Sequence, residues 1–231
     1  MKLFIVTGIS SGLGEKISEE LIEKKEKMIG IGRRFTNLQE QYTYQNPSIS
    51  SLIKCDFSNS LEVNNLIKEL GSIPLKDYAK IIFINNAGVI GPIAKIGEFD
   101  NFGDIEEHVY INYLTPLLIT NALVKLKSEK TVLEVINISS GAAENMIEGW
   151  SLYCSTKKAI KTFFDVLNKE HKEDIVIKHI DPGVIDTNMQ KVIRATSIEQ
   201  FPLVKQFIGY EENGVLLTPD TVAKHILKGF I

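Results

Sequence analysis

LFIVTGISSGLG, residues 3–14, decides the fold. Leu3 to Val6 form an unbroken apolar run, the mark of a short strand buried on both faces. From Leu13 to Glu26 the pattern changes. Leu13, Ile17, Leu21 and Ile22 recur at helical spacing, with Glu and Lys on the opposite side. Between strand and helix lie Gly8, Gly12 and Gly14. A turn this tight needs a residue that takes positive φ cheaply, and glycine does. Bare backbone there admits a pyrophosphate, and the helix start offers free N–H groups and a positive dipole end. Ser10 and Ser11 add hydroxyls to the loop. Gly8, Ser10, Ser11, Gly12, Leu13 and Gly14 are therefore candidate cofactor-binding residues in a dinucleotide-binding turn.

Outward from this turn the same alternation repeats. MIGI (28–31), SLIKC (51–55), IIFIN (81–85), VLEVINI (132–138) and IVIKHI (175–180) read as further strands. Helical patterns lie around Leu61 to Ile67, over 104–127 as one long helix, and over 151–170. Continuous apolar strands joined by helices predict an α/β fold: a parallel sheet with helices on both faces. No linker or repeat divides residues 1–231, which predicts a single domain. Residues 188–214 mix Met, Phe, Ile and charges, and suit a mobile flap or plain amphipathic helices. The chain ends LKGFI soon after a last helical pattern, which predicts six strands with a seventh absent or cut short.

Composition excludes several classes. The 231 residues are 44% hydrophobic and 24% charged, with a formal net charge of -3 that attracts no nucleic acid. Cys55 and Cys154 are far apart, which argues against a disulfide framework and a zinc site. The N-terminal apolar run is too short for a signal peptide, and no stretch reads as a membrane span, so the cytoplasm is the expected location. His108, His171, His179 and His225 have no metal-ligand spacing and read as surface or strand-end residues.

The second strand ends GIGRRF. A dinucleotide site usually places an acid there for the ribose hydroxyls. Arg33 and Arg34 stand there instead, and guanidinium groups pair with a 2′-phosphate that a carboxylate would repel. NADP(H) is the expected cofactor.

In order along the chain follow NNAG (85–88), Asn112, NISSG (137–141), YCSTK (153–157) and DPGVIDTNM (181–189). Each is common alone. As an ordered set over nearly the whole chain, they resemble the short-chain dehydrogenase/reductase family, with its Rossmann-type doubly wound sheet. NISSGAAEN, GWSLYCSTK and PGVIDTNMQ look like its sepiapterin reductase and bacterial benzil reductase branch. The resemblance implies that Tyr153 is the proton donor, and that Lys157 holds the nicotinamide ribose and lowers the tyrosine pKa. It implies that Ser140, thirteen positions before Tyr153, bonds the substrate carbonyl, and that Asn112 supports a water-linked proton path. It puts Asn86, Ala87 and Gly88 on the adenosine ribose side and Asp56 on the adenine amine. Pro182, Gly183, Ile185 and Thr187 would flank the nicotinamide.

Elementary chemistry agrees on the pair. Tyr153 and Lys157 are four apart on one helix and share a face. Trp150, Met146 and Met189 are candidate substrate-pocket residues, while Phe201 and Phe207 read rather as core. An apolar wall without a basic rim favours a bulky, flat carbonyl compound, an aromatic or α-dicarbonyl ketone. A pterin side-chain ketone or a 3-oxoacyl thioester is the alternative substrate. A non-catalytic NADP(H)-binding sensor is the alternative of another class. A homodimer packed through the two long helices is the expected assembly.

Overall fold

The structure, a computed structural model, describes residues 1–230. Strand β1 (Lys2–Thr7) is buried at all but its first residue, and its side chains feed two separate cores. Leu3 and Ile5 point to one face of the sheet, Phe4 and Val6 to the other. This follows from the two-residue period of a strand.

The remaining strands are β2 (Met28–Gly32), β3 (Ser50–Lys54), β4 (Lys80–Asn85), β5 (Val132–Ile138) and β6 (Ile175–Ile180). All pair in parallel, in the order β3-β2-β1-β4-β5-β6. The expected six-stranded, doubly wound sheet is thus present. From β1 the chain steps outward to β3, then crosses back to place β4 beside β1. That reversal opens a crevice at the carboxyl ends of β1 and β4, where such sheets bind ligands.

Helices α1 (Gly12–Glu23) and α9 (Pro219–Leu227) cover one face and pack on each other. Ile17 and Leu21 of α1 meet Val222 and Ile226 of α9 over Phe4 and Val6. On the other face lie α3 (Ser60–Ser72), α5 (Thr115–Leu126) and α6 (Ser151–Glu170). Leu66, Leu123 and Phe164 bring these three onto Leu3 and Ile5. A third apolar cluster sits away from the sheet. It joins Trp150 and Tyr153 to Phe201 and Phe207.

Three expectations change in the structure. The long helix over 104–127 is α4 (Phe102–Val109), a π-helical turn (Tyr110–Leu114) and α5. Asn112 lies in the turn. Its side chain pairs with both backbone groups of Val89: Val89 N–H donates to Oδ1 at 2.9 Å, and Nδ2 donates to the Val89 carbonyl at 2.8 Å. By length and hydropathy alone, Phe102–Leu126 is also apolar enough to cross a membrane, contrary to expectation. Here it packs on α3 and α6.

Helix α2 (Asn37–Gln45) was not evident from periodicity, because Gln39 is its one buried residue. Its sequence signal is a capping box. Thr36 and Gln39 each bond the other's backbone N–H, at 3.3 and 2.8 Å. Segment 188–214 contains α7 (Asn188–Arg194) and α8 (Val204–Glu212), joined by an Arg194–Glu211 ion pair at 2.7 Å. This is the amphipathic-helix alternative.

Near the amino ends of β4, β5 and β6, Glu134 is 3% exposed between two lysines. It lies 2.6 Å from Lys80 and 2.7 Å from Lys178. Burial raises its pKa, but bonds from Lys178 and Lys80 outweigh that and hold the carboxyl below its ordinary value. A depressed folded pKa contributes stability above the unfolded value of about 4.3, lost as pH falls through the folded one. Glu134→Gln is therefore expected to lower unfolding free energy by about 1–3 kcal/mol at pH 7. Urea titrations should show that gap closing below about pH 4; a gap independent of pH would refute the assignment.

Candidate active site

At the carboxyl end of β1, Gly8 takes φ +74°, and a Cβ there would lie 2.8 Å from the Ala87 backbone. Gly14 is tighter still. A Cβ would sit 2.2 Å from the Gly8 carbonyl oxygen and 2.4 Å from Asn86 Nδ2. The missing side chains let α1 dock end-on against β1 and β4. Thr7 and Asn86 stitch the same junction. Thr7 Oγ1 accepts from the N–H groups of Asn86 and Ala87 at 3.1 and 3.2 Å, and Asn86 Nδ2 donates to the Thr7 carbonyl at 2.9 Å.

Ser11 precedes α1 without a side-chain capping bond, so the first-turn N–H groups face the cleft with no protein acceptor from the cap. The cleft is about 980 Å³ and runs along the carboxyl edge of the sheet. Gly8, Ser10, Ser11, Gly12 and Leu13 line one end. Gly14 lies beneath it, as a packing residue. A bare-backbone turn and an open helix start are the features a pyrophosphate needs. The residues present fit a nicotinamide dinucleotide.

Beside this turn, Ser10 Oγ accepts from the N–H groups of Arg33 and Arg34 at 3.1 and 3.3 Å. Both arginines are exposed. Arg33 lines the cleft, with its guanidinium 3.9 Å from the Asp56 carboxylate. Arg34 lies outside the lining. Partial burial raises the Asp56 pKa, yet hydrogen bonds from Ser58 N–H and Oγ, with the Arg33 charge, bring it below the ordinary value. Asn86, Ala87 and Gly88 continue the wall, and Pro182, Gly183, Ile185 and Thr187 form the opposite side.

The chemistry-bearing residues converge at the middle. Ser140 follows β5, and its Oγ accepts from Ala142 N–H at 3.2 Å. Tyr153 and Lys157 lie on α6, both buried. Lys157 Nζ donates to the Ile138 carbonyl at 2.9 Å and stands 5.7 Å from the Tyr153 ring centre. Burial pushes the Tyr153 phenol up to about 12, Ser140 pulls it down and Asp181 pushes it up again. Burial pushes Lys157 down to about 8, against the Asp181 charge. Burial is the largest influence on the phenol and outweighs the bond from Ser140.

Trp150, Met189 and Phe207 line the far end of the cleft. Phe201 is fully buried and stacks on Trp150 at 4.8 Å, so it is core as expected. Phe207 is both core and cleft wall. Met146 is 98% exposed and borders a separate groove with Ile96 and Cys154, so the structure does not bring it to the cleft. Two residues escaped the sequence reading. Asp181 opens the DPG turn after β6, and its carboxylate field reaches both Tyr153 and Lys157. His108 is fully buried, not a surface or strand-end residue. It lies four positions before Asn112, a spacing that puts the two on one helical face.

The short chain dehydrogenase family profile matches residues 2–198. A benzil reductase, (S)-benzoin forming, from Bacillus cereus is 40% identical over 235 residues, covering 98% of this chain and 92% of the relative. The sepiapterin reductase of Xenopus tropicalis is 27% identical, covering 97% of this chain and 89% of its own. Among solved structures, the KRED1-Pglu enzyme superposes with a TM-score of 0.82 at 26% identity. That match covers 99% of this chain and 94% of the other.

The clearance at Gly14 gives a direct test. Gly14→Ala is expected to cost about 1–3 kcal/mol in unfolding free energy, because the methyl group meets backbone that cannot give way. Wild-type stability in urea would show that α1 can withdraw from β1.

Proposed function

The chain belongs to the short chain dehydrogenase family and is an oxidoreductase, and from that premise we propose that it reduces aromatic or α-dicarbonyl ketones with NADPH. The carrying observation is the cleft itself. The side chains that could meet a cofactor and those that could polarise a carbonyl lie along one continuous groove. Gly8 to Leu13 would hold the pyrophosphate, Asp56 the adenine amine, and Asn86 to Gly88 the adenosine ribose side. Pro182, Gly183, Ile185 and Thr187 would flank the nicotinamide. The reduced nicotinamide, when bound, supplies the hydride that the carbonyl carbon receives.

The chain's own residues do the rest. The Tyr153 phenol, kept protonated by burial, gives its proton to the carbonyl oxygen as the C–H bond forms. The Ser140 hydroxyl bonds the same oxygen as charge builds on it. Lys157 places a cation beside the phenol that has lost its proton, and would bond the nicotinamide ribose. Asn112 holds the loop after β4 against the π turn that leads into α5.

Selection of NADPH rests on Arg33 and Arg34, with no acid at the end of β2. Substrate class rests on the far wall. Trp150, Met189, Val192, Leu203 and Phe207 present apolar and aromatic surface there with no charged residue among them. Such a wall suits a flat, uncharged molecule and offers nothing to the phosphate of an acyl carrier. The Bacillus cereus relative's name points the same way. We read residues 1–231 as one domain, acting in the cytoplasm as a homodimer paired through the faces of α5 and α6, where Leu118 and Val166 are exposed.

NADPH oxidation followed at 340 nm with benzil, other diketones, a pterin ketone and a 3-oxoacyl thioester tests the reading. Benzil-type diketones should turn over fastest. A preference for pterin or thioester would move the assignment to that substrate, and binding without turnover of any would favour a sensor. Tyr153→Phe should lower kcat at least about 100-fold. Replacing Arg33 and Arg34 with Ala should weaken NADPH binding about 10- to 100-fold and NADH binding far less; equal losses would refute the phosphate assignment. Lys157 loses its proton as pH rises through about 8, so kcat/KM should fall above that pH. A profile flat to high pH would show that its charge is not needed.

A further inference from the structure

His108 has no part in the scheme above, yet it touches the loop after β4, Asn112 and the helix that carries Tyr153 and Lys157. Its Nδ1 lies 2.6 Å from the Gly91 carbonyl oxygen. Its Nε2 lies 2.8 Å from Asn112 Nδ2 and 2.9 Å from Thr156 Oγ1. Its ring meets that of Tyr153 edge to face, centroids 6.2 Å apart. Thr156 is the residue before Lys157. One imidazole thus spans the loop after β4, the π turn and the catalytic helix.

The proton positions follow from the backbone. Val89 N–H must meet the oxygen of the Asn112 amide, and the Val89 carbonyl must meet its nitrogen. That pairing fixes the amide orientation. The second hydrogen on Asn112 Nδ2 then points at His108 Nε2, which must accept it. The Gly91 carbonyl can only accept, so Nδ1 carries the proton. The Thr156 hydroxyl at 2.9 Å can donate to the same nitrogen, tying α6 to the ring, or to the Leu152 carbonyl at 3.0 Å, and in neither case does Nε2 need a proton. The imidazole is neutral, in one tautomer. A protonated ring would set N–H against N–H. Burial holds the group below its ordinary range, helped by the Lys157 charge and opposed by the Gly91 bond.

We infer that His108 is a positioning residue for reduction: as a neutral, Nδ1-protonated clamp it locks Asn112 and holds helix α6 in register with the 89–91 loop. The inference rests on the catalytic reading of Tyr153 and Lys157. It makes His108 an acceptor, so shape alone will not replace it. Both hydrogens of the Asn112 amide are used, one by Val89 and one by His108. Removing the acceptor leaves one of them buried and unpaired, which is costly.

Two variants separate acceptor from bulk. His108→Phe keeps a ring of similar size without an acceptor. His108→Gln can bring Oε1 to the neighbourhood of Nε2. Expected are a roughly 10- to 100-fold fall in kcat for H108F, with the NADPH Kd within about threefold of the parent. H108Q should restore kcat to within about threefold of the parent. Nitrogen-15 spectra of histidine-labelled protein should show His108 Nδ1 protonated and Nε2 bare around neutral pH. Parent-like kcat in H108F, equal loss in H108Q, or a protonated Nε2 would each overturn the inference. Should H108F fail to fold, H108Q and the spectra decide. Should the parent reduce no carbonyl, the proposed function falls, and the tautomer still reads this inference alone.

Discussion

Helix α1 meets the ends of β1 and β4 with no space for a Cβ at Gly14. Everything at the site hangs from that contact. It sets where the helix start faces, and hence where a pyrophosphate can sit. It brings Asn86 against the glycine turn, and through Asn86 it fixes the start of the 86–91 loop. That loop in turn supplies both backbone partners of Asn112 and the Gly91 carbonyl bonded by His108. A packing constraint at one end of the cleft is passed along side-chain hydrogen bonds to helix α6 at its middle.

The site is costly to the fold that carries it. Lys157 is buried with one carbonyl as its protein partner at hydrogen-bond distance, and Tyr153 is buried beside it. Their pKa values move toward the neutral forms, down to about 8 and up to about 12. Both shifts record interactions with water given up on folding. The two apolar cores against the sheet supply the surplus that offsets this. Asp181 opposes the shift of the lysine, since its negative field favours the cation, but adds to that of the phenol, whose protonated form it favours.

Strands and most helices were legible in the sequence because their signals are local. An apolar run such as Leu3 to Val6 carries its own burial, and Leu13, Ile17 and Leu21 carry a helical face. The candidate catalytic residues stand in the sequence as an ordered set of motifs, and Ser140, Tyr153 and Lys157 of that set line one cleft. What escaped depends on distant partners. The π turn presents Asn112 to Val89, twenty-three residues earlier in sequence. Helix α2 buries Gln39 through bonds to Ile9 and Ser18, and shows no apolar stripe. His108 looked ordinary because nothing near it in sequence reveals Gly91 or Thr156. Met146 failed for the opposite reason: adjacency to a motif did not carry it into the cleft.

The third apolar cluster stands apart from the sheet. Trp150 ties the root of α6 to Phe201 and Phe207, while the two cores that hold the strands lie elsewhere. The fold therefore separates two inheritances. On the proposed function, the reacting groups lie at the sheet ends and on α6, and much of the apolar wall lies on α7, α8 and their connection. Substitutions in the second set can retune what is accepted while hydride and proton delivery stay intact.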